Sequence, residues 1–297
     1  MAQLFQLGAE TLDAKRILWP EPEALPESTL ARDATFLRMY PPGRAPRAGS
    51  LRSDDVDMDS HWHFHDLHQF FFAFEGAVEL FAEDGRHLIS QQLAAWIPAG
   101  VPHRASLHHV PSISVFFTPD MLDDAGTHIR SVIVTPLMRE MVREAARWSL
   151  HGPVTPLRKA FFEAMAMLSQ EWVVQHETRL FLPATEDPRL RRALKYTDLH
   201  MNAKLAEVCR FAGISERSLR RHLRAETGLT WEAYRQRIRL LRSIGLLNET
   251  AEPITEIAAR CGFESPSAFA KSFRAAMGES PRDYRRGSAT PEKRAGD

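Results

Sequence analysis

The chain carries one pattern written twice. Leu205, Val208 and Gly213 recur as Ile254, Ile257 and Gly262 at an offset of 49. Leu223, Gly228, Thr230, Tyr234 and Arg235 recur as Phe273, Gly278, Ser280, Tyr284 and Arg285 at an offset of 50. In the stretch Ile254 to Arg286, the residues Ile254, Ile257, Ala258 and Cys261 repeat at helical spacing. Gly262 breaks that helix, Phe269 and Phe273 resume the apolar stripe one helix later, and Gly278 ends it before Ser280-Pro281 opens another. Two short helices about a glycine turn, the second bearing Lys271 and Arg274, make a helix-turn-helix. The one-residue slip between the copies falls in the turn, where an extra residue disturbs least.

The second copy reads I-x-x-I-A-x-x-x-G-F-x-S-x-x-x-F-x-x-x-F-x-x-x-x-G-x-S-P-x-x-Y-R from Ile254 to Arg285. In this the chain resembles the AraC/XylS family of bacterial transcription regulators, over its last third closely and more loosely elsewhere. In the first copy, Leu205 to Ala212 is the supporting helix, Gly213 turns, and Ser215 caps the next helix with Glu216 in its first turn. Leu219 and Leu223 face inward, so Arg217, Arg220, Arg221 and Arg224 point outward, with His222 on the flank. Arginine suits bidentate contact with guanine edges and with phosphates. The resemblance puts Arg217, Arg220 and Arg221 at base-contacting positions; phosphate contact alone is the plainer alternative. On the second recognition helix, Ser265 to Ala276, it turns Ser267, Ala268 and Lys271 outward. These side chains are mostly short, so the first helix is expected to read sequence and the second mainly to position the protein. Between them Trp231 to Leu247 is a long helix. Tyr234, Ile238 and Leu241 face in, and Arg235, Arg237, Arg239 and Arg242 face DNA or solvent, with Arg235 expected on a phosphate. Such a rod holds two recognition helices in successive major grooves, about 34 Å apart.

Charge is distributed accordingly. The net charge is zero, but from Asp187 onward 22 Lys and Arg face 14 Asp and Glu, an excess of +8 balanced by −8 before it. A basic C-terminal part suits a polyanionic partner, although alone it would describe only a solvated face. Cys209 and Cys261, the chain's two cysteines, fall on the apolar faces of the two supporting helices and read as small core residues. No signal peptide opens the chain and no run of 18 apolar residues occurs, so the expected location is the cytoplasm, with no membrane partner.

The N-terminal part reads differently. Residues 1–50 hold scattered prolines and read as an arm, with one strand over Phe36 to Tyr40, and the acidic Leu51 to Ser60 reads as a solvated loop. Short apolar runs between Gly and Asp turns follow. They predict strands over His68 to Phe74, Ala77 to Ala82, Arg86 to Ser90, Leu93 to Ile97, Arg104 to His108 and Ser112 to Phe117, as in a small antiparallel barrel or jelly roll. His63, His65 and Gln69 share parity, so on an unbroken strand they face one way. With Gly76 and then Pro98-Ala-Gly100-Val-Pro-His103 they resemble the cupin pattern H-x-H-x(3,4)-E-x(6)-G, P-x-G-x-x-H. That resemblance implies His63, His65, Gln69 and His103 as metal ligands, for Zn, Ni or Fe. Gln69 stands where the family has Glu, which removes a charge and weakens the set. A metal-free pocket whose histidines hydrogen-bond one another or a ligand is the alternative. Trp62, Phe71 and Trp96 would line a barrel mouth for a small apolar effector, or else are core. Pro136 to Leu150 and Leu157 to Gln175 read as helices. Their apolar stripes (Leu137, Met141, Val142, Ala145, Trp148; Leu157, Phe161, Met165, Leu168, Trp172) pack on each other or form a dimer interface.

The expected fold is therefore α+β in two domains, a cupin-like antiparallel β-barrel with helices followed by an all-α domain with two helix-turn-helix motifs. The divisions are 1–50 arm, 51–120 sensor barrel, 121–187 dimerisation helices and linker, 188–288 DNA-binding domain and 289–297 disordered tail. The expected function is that of a sequence-specific transcription regulator, an activator rather than an enzyme. Its partners would be double-stranded promoter DNA, RNA polymerase, a small-molecule or metal effector and a second copy of itself. The rival is a cupin enzyme with a DNA-binding appendix. Gln69 and the absence of an evident acid or base partner count against it. A constitutive regulator with a purely structural barrel is the third reading.

Overall fold

The computed structural model describes residues 33–40, 47–54 and 57–288. Most of the expected arm and all of the expected tail lie outside the described residues. The chain divides into two compact units, the first ending at Arg179 and the second built from Leu180 onward together with Asp84–Arg86.

The first unit contains two sheets. Its strands are β1 (Thr35–Phe36), β2 (Ala48–Ser53), β3 (Asp57–Asp59), β4 (His63–Phe64), β5 (His68–Ala73), β6 (Ala77–Ala82), β7 (Gly85–Ser90), β8 (Leu93–Ile97), β9 (His103–His108), β10 (Ser112–Phe117), β11 (Arg130–Ile133) and β12 (Glu177–Thr178). One sheet runs β1-β4-β9-β6-β7 with β3 also on β9, and the other runs β12-β11-β8-β5-β10-β2. The sheets do not close into the expected barrel. The central strands β5 and β8 are buried at every position, which requires cover on both faces rather than a single lined interior. The acidic stretch expected as a loop instead supplies β3 and the end of β2, with Asp57 and Asp59 exposed.

Strand parity assigns the two faces. Phe71, Leu80, Ile97, Ala105 and Leu107 pack between the sheets. Phe70, Phe72, Trp96, Val115 and Phe117 point the other way and are covered by Met138, Val142, Phe162, Met165 and Trp172. These come from α1 (Pro136–Ala145) and α2 (Pro156–His176). Both helices start on the same device, a threonine cap followed by proline. Thr135 Oγ1 accepts from Met138 N at 3.3 Å and Thr155 Oγ1 from Arg158 N at 3.2 Å.

Arg158 is an unexpected core residue, 2% exposed. Its guanidinium donates to the carbonyls of Gly152 (2.6 Å), Pro153 (3.1 Å), Ala48 (2.8 Å) and Leu150 (3.4 Å). Ala48 opens β2, the last strand in its sheet, so Arg158 satisfies a carbonyl on an edge strand and the loop beside it. Burial lowers its pKa from the usual arginine value.

The second unit is helical: α3 (Pro188–Leu199), α4 (Leu205–Ala212), α5 (Glu216–Thr227), α6 (Trp231–Glu249), α7 (Ile254–Arg260), α8 (Pro266–Met277) and α9 (Pro281–Ser288). The written repeat is a structural repeat at the level of single hydrogen bonds. Ser215 Oγ caps α5 by accepting from Ser218 N (3.2 Å), and Ser265 Oγ caps α8 by accepting from Ala268 N (3.1 Å). Thr230 and Ser280 do the same for α6 and α9, each at 3.1 Å. Gly213 and Gly262 turn the chain after the supporting helices with φ of 67° and 73°. Cys209 and Cys261 are buried and unbonded to each other.

Replacing Arg158 by Met removes the donor to four carbonyls, those of Ala48 and Leu150 in buried hydrogen bonds. Denaturant unfolding of the Arg158→Met protein is expected to show the first unit destabilised by about 2–4 kcal/mol, with no change in the second.

Candidate nucleic-acid interface and sensor cavity

On α5, Leu219 and Leu223 are fully buried and Arg217, Arg220, Arg221 and Arg224 are all exposed. The amphipathic spacing alone achieves this, because residues three and four apart share a face. Two of the guanidiniums are held by neighbours. Arg220 sits between Glu216 and Glu232, 3.4 Å from each. Arg221 Nη2 donates to His222 Nε2 at 3.1 Å. On α8, Phe269 and Phe273 are buried while Ser267, Ala268 and Lys271 are exposed. The structure thus turns both expected sets of recognition side chains to solvent.

Arg235 departs from its expected place on a phosphate. It is half-buried, donates to the carbonyl of Met201 at 2.7 Å and lies over the Trp231 ring at 4.5 Å. Its repeat partner Arg285 donates to the carbonyl of Glu252 at 2.6 Å. Each therefore pins the turn just before a supporting helix. Two further α6 arginines expected outside also cap carbonyls, Arg237 on Phe181 (3.1 Å) and Arg242 on Asp198 (2.5 Å). Part of the positive excess of this region is spent on its own backbone.

In the first unit a cavity of about 90 Å³ lies between the sheets. Its lining includes His63, His65, Gln69, Phe71 and His103, with Leu51, Leu80, Leu107 and Phe116 on the apolar side. The four residues of the cupin-like motif are thus brought together, with His63 and His103 ring centroids 4.3 Å apart and His65 and His103 5.1 Å apart. Of the three aromatics proposed to line it, only Phe71 does. Trp96 pairs with Phe70 in the ladder, not with Gln69, and so faces the helices, where Nε1 donates to Ala125 O at 2.9 Å. Trp62 sits in the bend just before β4 and is buried outside the cavity lining. Ser53, unremarked in the sequence, lines the cavity with a buried hydroxyl that has no hydrogen-bond partner.

The histidine tautomers follow from their neighbours. Nδ1 of His63, His65 and His103 faces a backbone carbonyl, of His61 (2.8 Å), Leu67 (2.7 Å) and Val101 (2.9 Å) respectively. Carbonyls only accept, so each neutral ring carries its proton on Nδ1 and presents a lone pair at Nε2. This is the arrangement second partners impose on metal-ligating histidines. His65 Nε2 stands 2.9 Å from Gln69 Oε1, two acceptors face to face as placed, which the amide's NH₂ or a cation would reconcile. The donor chemistry therefore suits Zn, Ni or Fe. The ring positions do not form a finished site: among the described residues no three His, Cys, Asp or Glu side chains stand in metal-holding geometry.

A helix-turn-helix domain family matches residues 208–287. The HTH-type transcriptional regulator NimR of Escherichia coli is 26% identical over 259 residues, 84% of this chain and 91% of that protein. The HTH-type transcriptional activator RhaS of Klebsiella pneumoniae is 33% identical over 129 residues, and that match spans 44% of RhaS, less than half its length. Among solved structures, an AraC-type DNA-binding regulator from Chromobacterium violaceum is 27% identical over 35% of this chain and 95% of its own, with a TM-score of 0.34. The DNA-binding domain of AdpA in complex with a target DNA is 28% identical over 38% of this chain and all of its own, with a TM-score of 0.33. The kinship rests on sequence. No helix among the described residues is long and apolar enough to cross a membrane.

Two outcomes follow from this geometry. Arg235→Ala is expected to destabilise the second unit by about 1–2 kcal/mol while leaving the salt slope of DNA binding as in the parent, measured by chemical denaturation and by titration at several ionic strengths. Burial lowers the pKa of His63 to about 4 and pushes His65 and His103 down as well. Unfolded, such groups titrate near ~6.5. As pH falls below that, the unfolded chain takes up protons the folded chain refuses. Stability is therefore complete above that value and is lost progressively toward pH 4. The melting temperature of the first unit is expected to fall across this window, and to fall less in a His63→Gln protein.

Proposed function

We propose that this chain, which carries an AraC-family helix-turn-helix domain, reads promoter DNA mainly through α5 and answers an effector held in its first unit. The observation that carries the reading is the exposed row Arg217, Arg220, Arg221 and Arg224 on a helix whose other face is locked in the core. Guanidiniums so placed suit guanine edges in a major groove, and α8, with Ser267, Ala268 and Lys271, adds backbone and thymine-methyl contact. In this reading the protein is not an enzyme, acts in the cytoplasm as an activator, and contacts RNA polymerase when bound.

The effector is a small molecule lodged beside Phe71, with the polar end of the cavity fixing its orientation. His63, His65, His103 and Gln69 carry the donor types a divalent metal would take, but their rings would have to move to hold one.

The protein acts as a homodimer through α2. Leu157 and Met167 on that helix are 64% and 72% exposed, and Val174 75%. Ala160 and Ala164 lie exposed between Leu157 and Met167, so that stretch is spaced three and four residues along one stripe, and Val174 follows one step beyond the exposed Glu171. Small residues in such a stripe let a second helix approach closely.

Arg220→Ala is expected to cost about 1–3 kcal/mol of binding to duplexes selected by the parent and to relax base preference at one position. Equal binding to every promoter variant would remove Arg220 from base reading. Met167→Glu puts a charge in the centre of the proposed seam. Sedimentation is expected to show a shift from dimer to monomer, and an unchanged dimer would place the interface elsewhere.

A further inference from the structure

The segment through which the chain enters the second unit is fastened to the reading helix. Thr185 Oγ1 donates to Glu226 Oε2, and Glu186 N donates to the same oxygen at 3.2 Å. One turn back on α5, His222 Nδ1 donates to Asp187 Oδ2 at 3.1 Å. The other carboxylate oxygen of Asp187 caps α3, accepting from Arg189 N at 2.8 Å. Arg191 holds the segment from behind through the carbonyls of Thr185 (3.3 Å) and Glu186 (3.4 Å). Glu226 and His222 are four apart on α5 and so present to one side.

The tautomer makes this more than a clip. The carboxylate of Asp187 only accepts, so His222 carries its proton on Nδ1. Its Nε2 is then a bare acceptor, and Arg221 Nη2, which only donates, lies 3.1 Å from it. Asp187, His222 and Arg221 form one directed chain from the start of the unit to an exposed guanidinium. The Asp187–His222 pair is largely shielded, with side-chain exposures of 16% and 28%, so it is a firmer anchor than a surface ion pair.

We infer that His222 is a positioning residue for DNA reading: held by Asp187, it aims Arg221 and so sets the base preference at the position Arg221 reads. An arginine with a long free side chain spreads its donors over several acceptors; one held at Nη2 presents a single orientation of its planar fork. Thr185, Glu186 and Glu226 keep the lead-in segment in register, so its displacement would be felt at Arg221. The inference rests on the proposed base-reading role of α5 and adds the device that orients it.

The test selects bound duplexes from a random-sequence pool with the full chain, comparing the parent with Arg221→Ala, His222→Leu, His222→Gln and Asp187→Asn. Asparagine caps α3 as aspartate does, so Asp187→Asn removes the carboxylate from His222 without unmaking the helix. His222→Leu and Asp187→Asn are expected to lose base preference at the same single position as Arg221→Ala, with the other positions unchanged. Their affinity for the parent's selected duplex should fall about threefold to tenfold, a hydrogen bond's worth. His222→Gln, whose amide can donate at one end and accept at the other, is expected to restore the preference. If His222→Leu fails to fold, Asp187→Asn still reads the loss and His222→Gln the rescue. Should Arg221→Ala change the selected sequences while Asp187→Asn, and His222→Leu where it folds, select as the parent does, the positioning role is overturned and base reading stands. If Arg221→Ala itself selects the parent's sequences, base reading by Arg221 falls, and the positioning role with it.

Discussion

A serine hydroxyl accepting from a backbone amide, made once at Ser215 and again at Ser265, fixes where α5 and α8 begin. The preceding turn needs a residue that tolerates positive φ, and glycine meets that need in both copies. Once start and turn are set, the helical period decides which side chains go inward. Leu219, Leu223, Phe269 and Phe273 then have no choice but the core. The exposed arginines of α5 are what remains. An alanine at Gly262 would meet Asn202 Oδ1 at 2.5 Å besides straining the backbone, so the turn is constrained by packing as well as by its dihedral angle.

A second theme runs through both units, arginine used as a donor to carbonyls instead of as a charge. Arg158 does this inside the sheet-and-helix unit, and Arg235, Arg237, Arg242 and Arg285 do it in the helical one. Five donors in a rigid fork can satisfy several carbonyls that no local secondary structure reaches. Counting arginines therefore overstates the charge offered to DNA, and the useful count is of those whose guanidiniums stay outside.

The helical half was legible because it is local. Leu205–Ala212 ran as expected, α5 and α8 lie where the repeat put them, and the outward set followed from period alone. The helix α3 went unread, although Asp187-Pro188 is a good start signal and Asp187 does cap it. In the sheet unit, strands such as Ala77–Ala82 and Ser112–Phe117 were plain from alternation. Which strand neighbours which is a long-range matter, and the closed barrel was the wrong closure. Strand β11, from the run Ile129 to Val134, carries a β-branched signal that was missed. The placing of Trp96 failed for the same reason. Its face depends on pairing Phe70 with Trp96, and pairing is absent from any single strand. Likewise, nothing around Leu157 or Met167 distinguishes a buried stripe from an exposed one until the sheet beneath α2 is in place.

The cage around Arg158 has an implication for how the two units respond to their surroundings. A cation answered by carbonyl dipoles and the face of Phe162, away from solvent, has no counter-ion for dissolved salt to displace. The hold of exposed guanidiniums on a phosphate backbone is weakened by each rise in ionic strength. A rise in ionic strength would therefore weaken the proposed phosphate contacts of α5 long before it touched the architecture of the first unit. In the proposed reading, release and collapse are thereby separated, so a chain set free by salt would keep its fold.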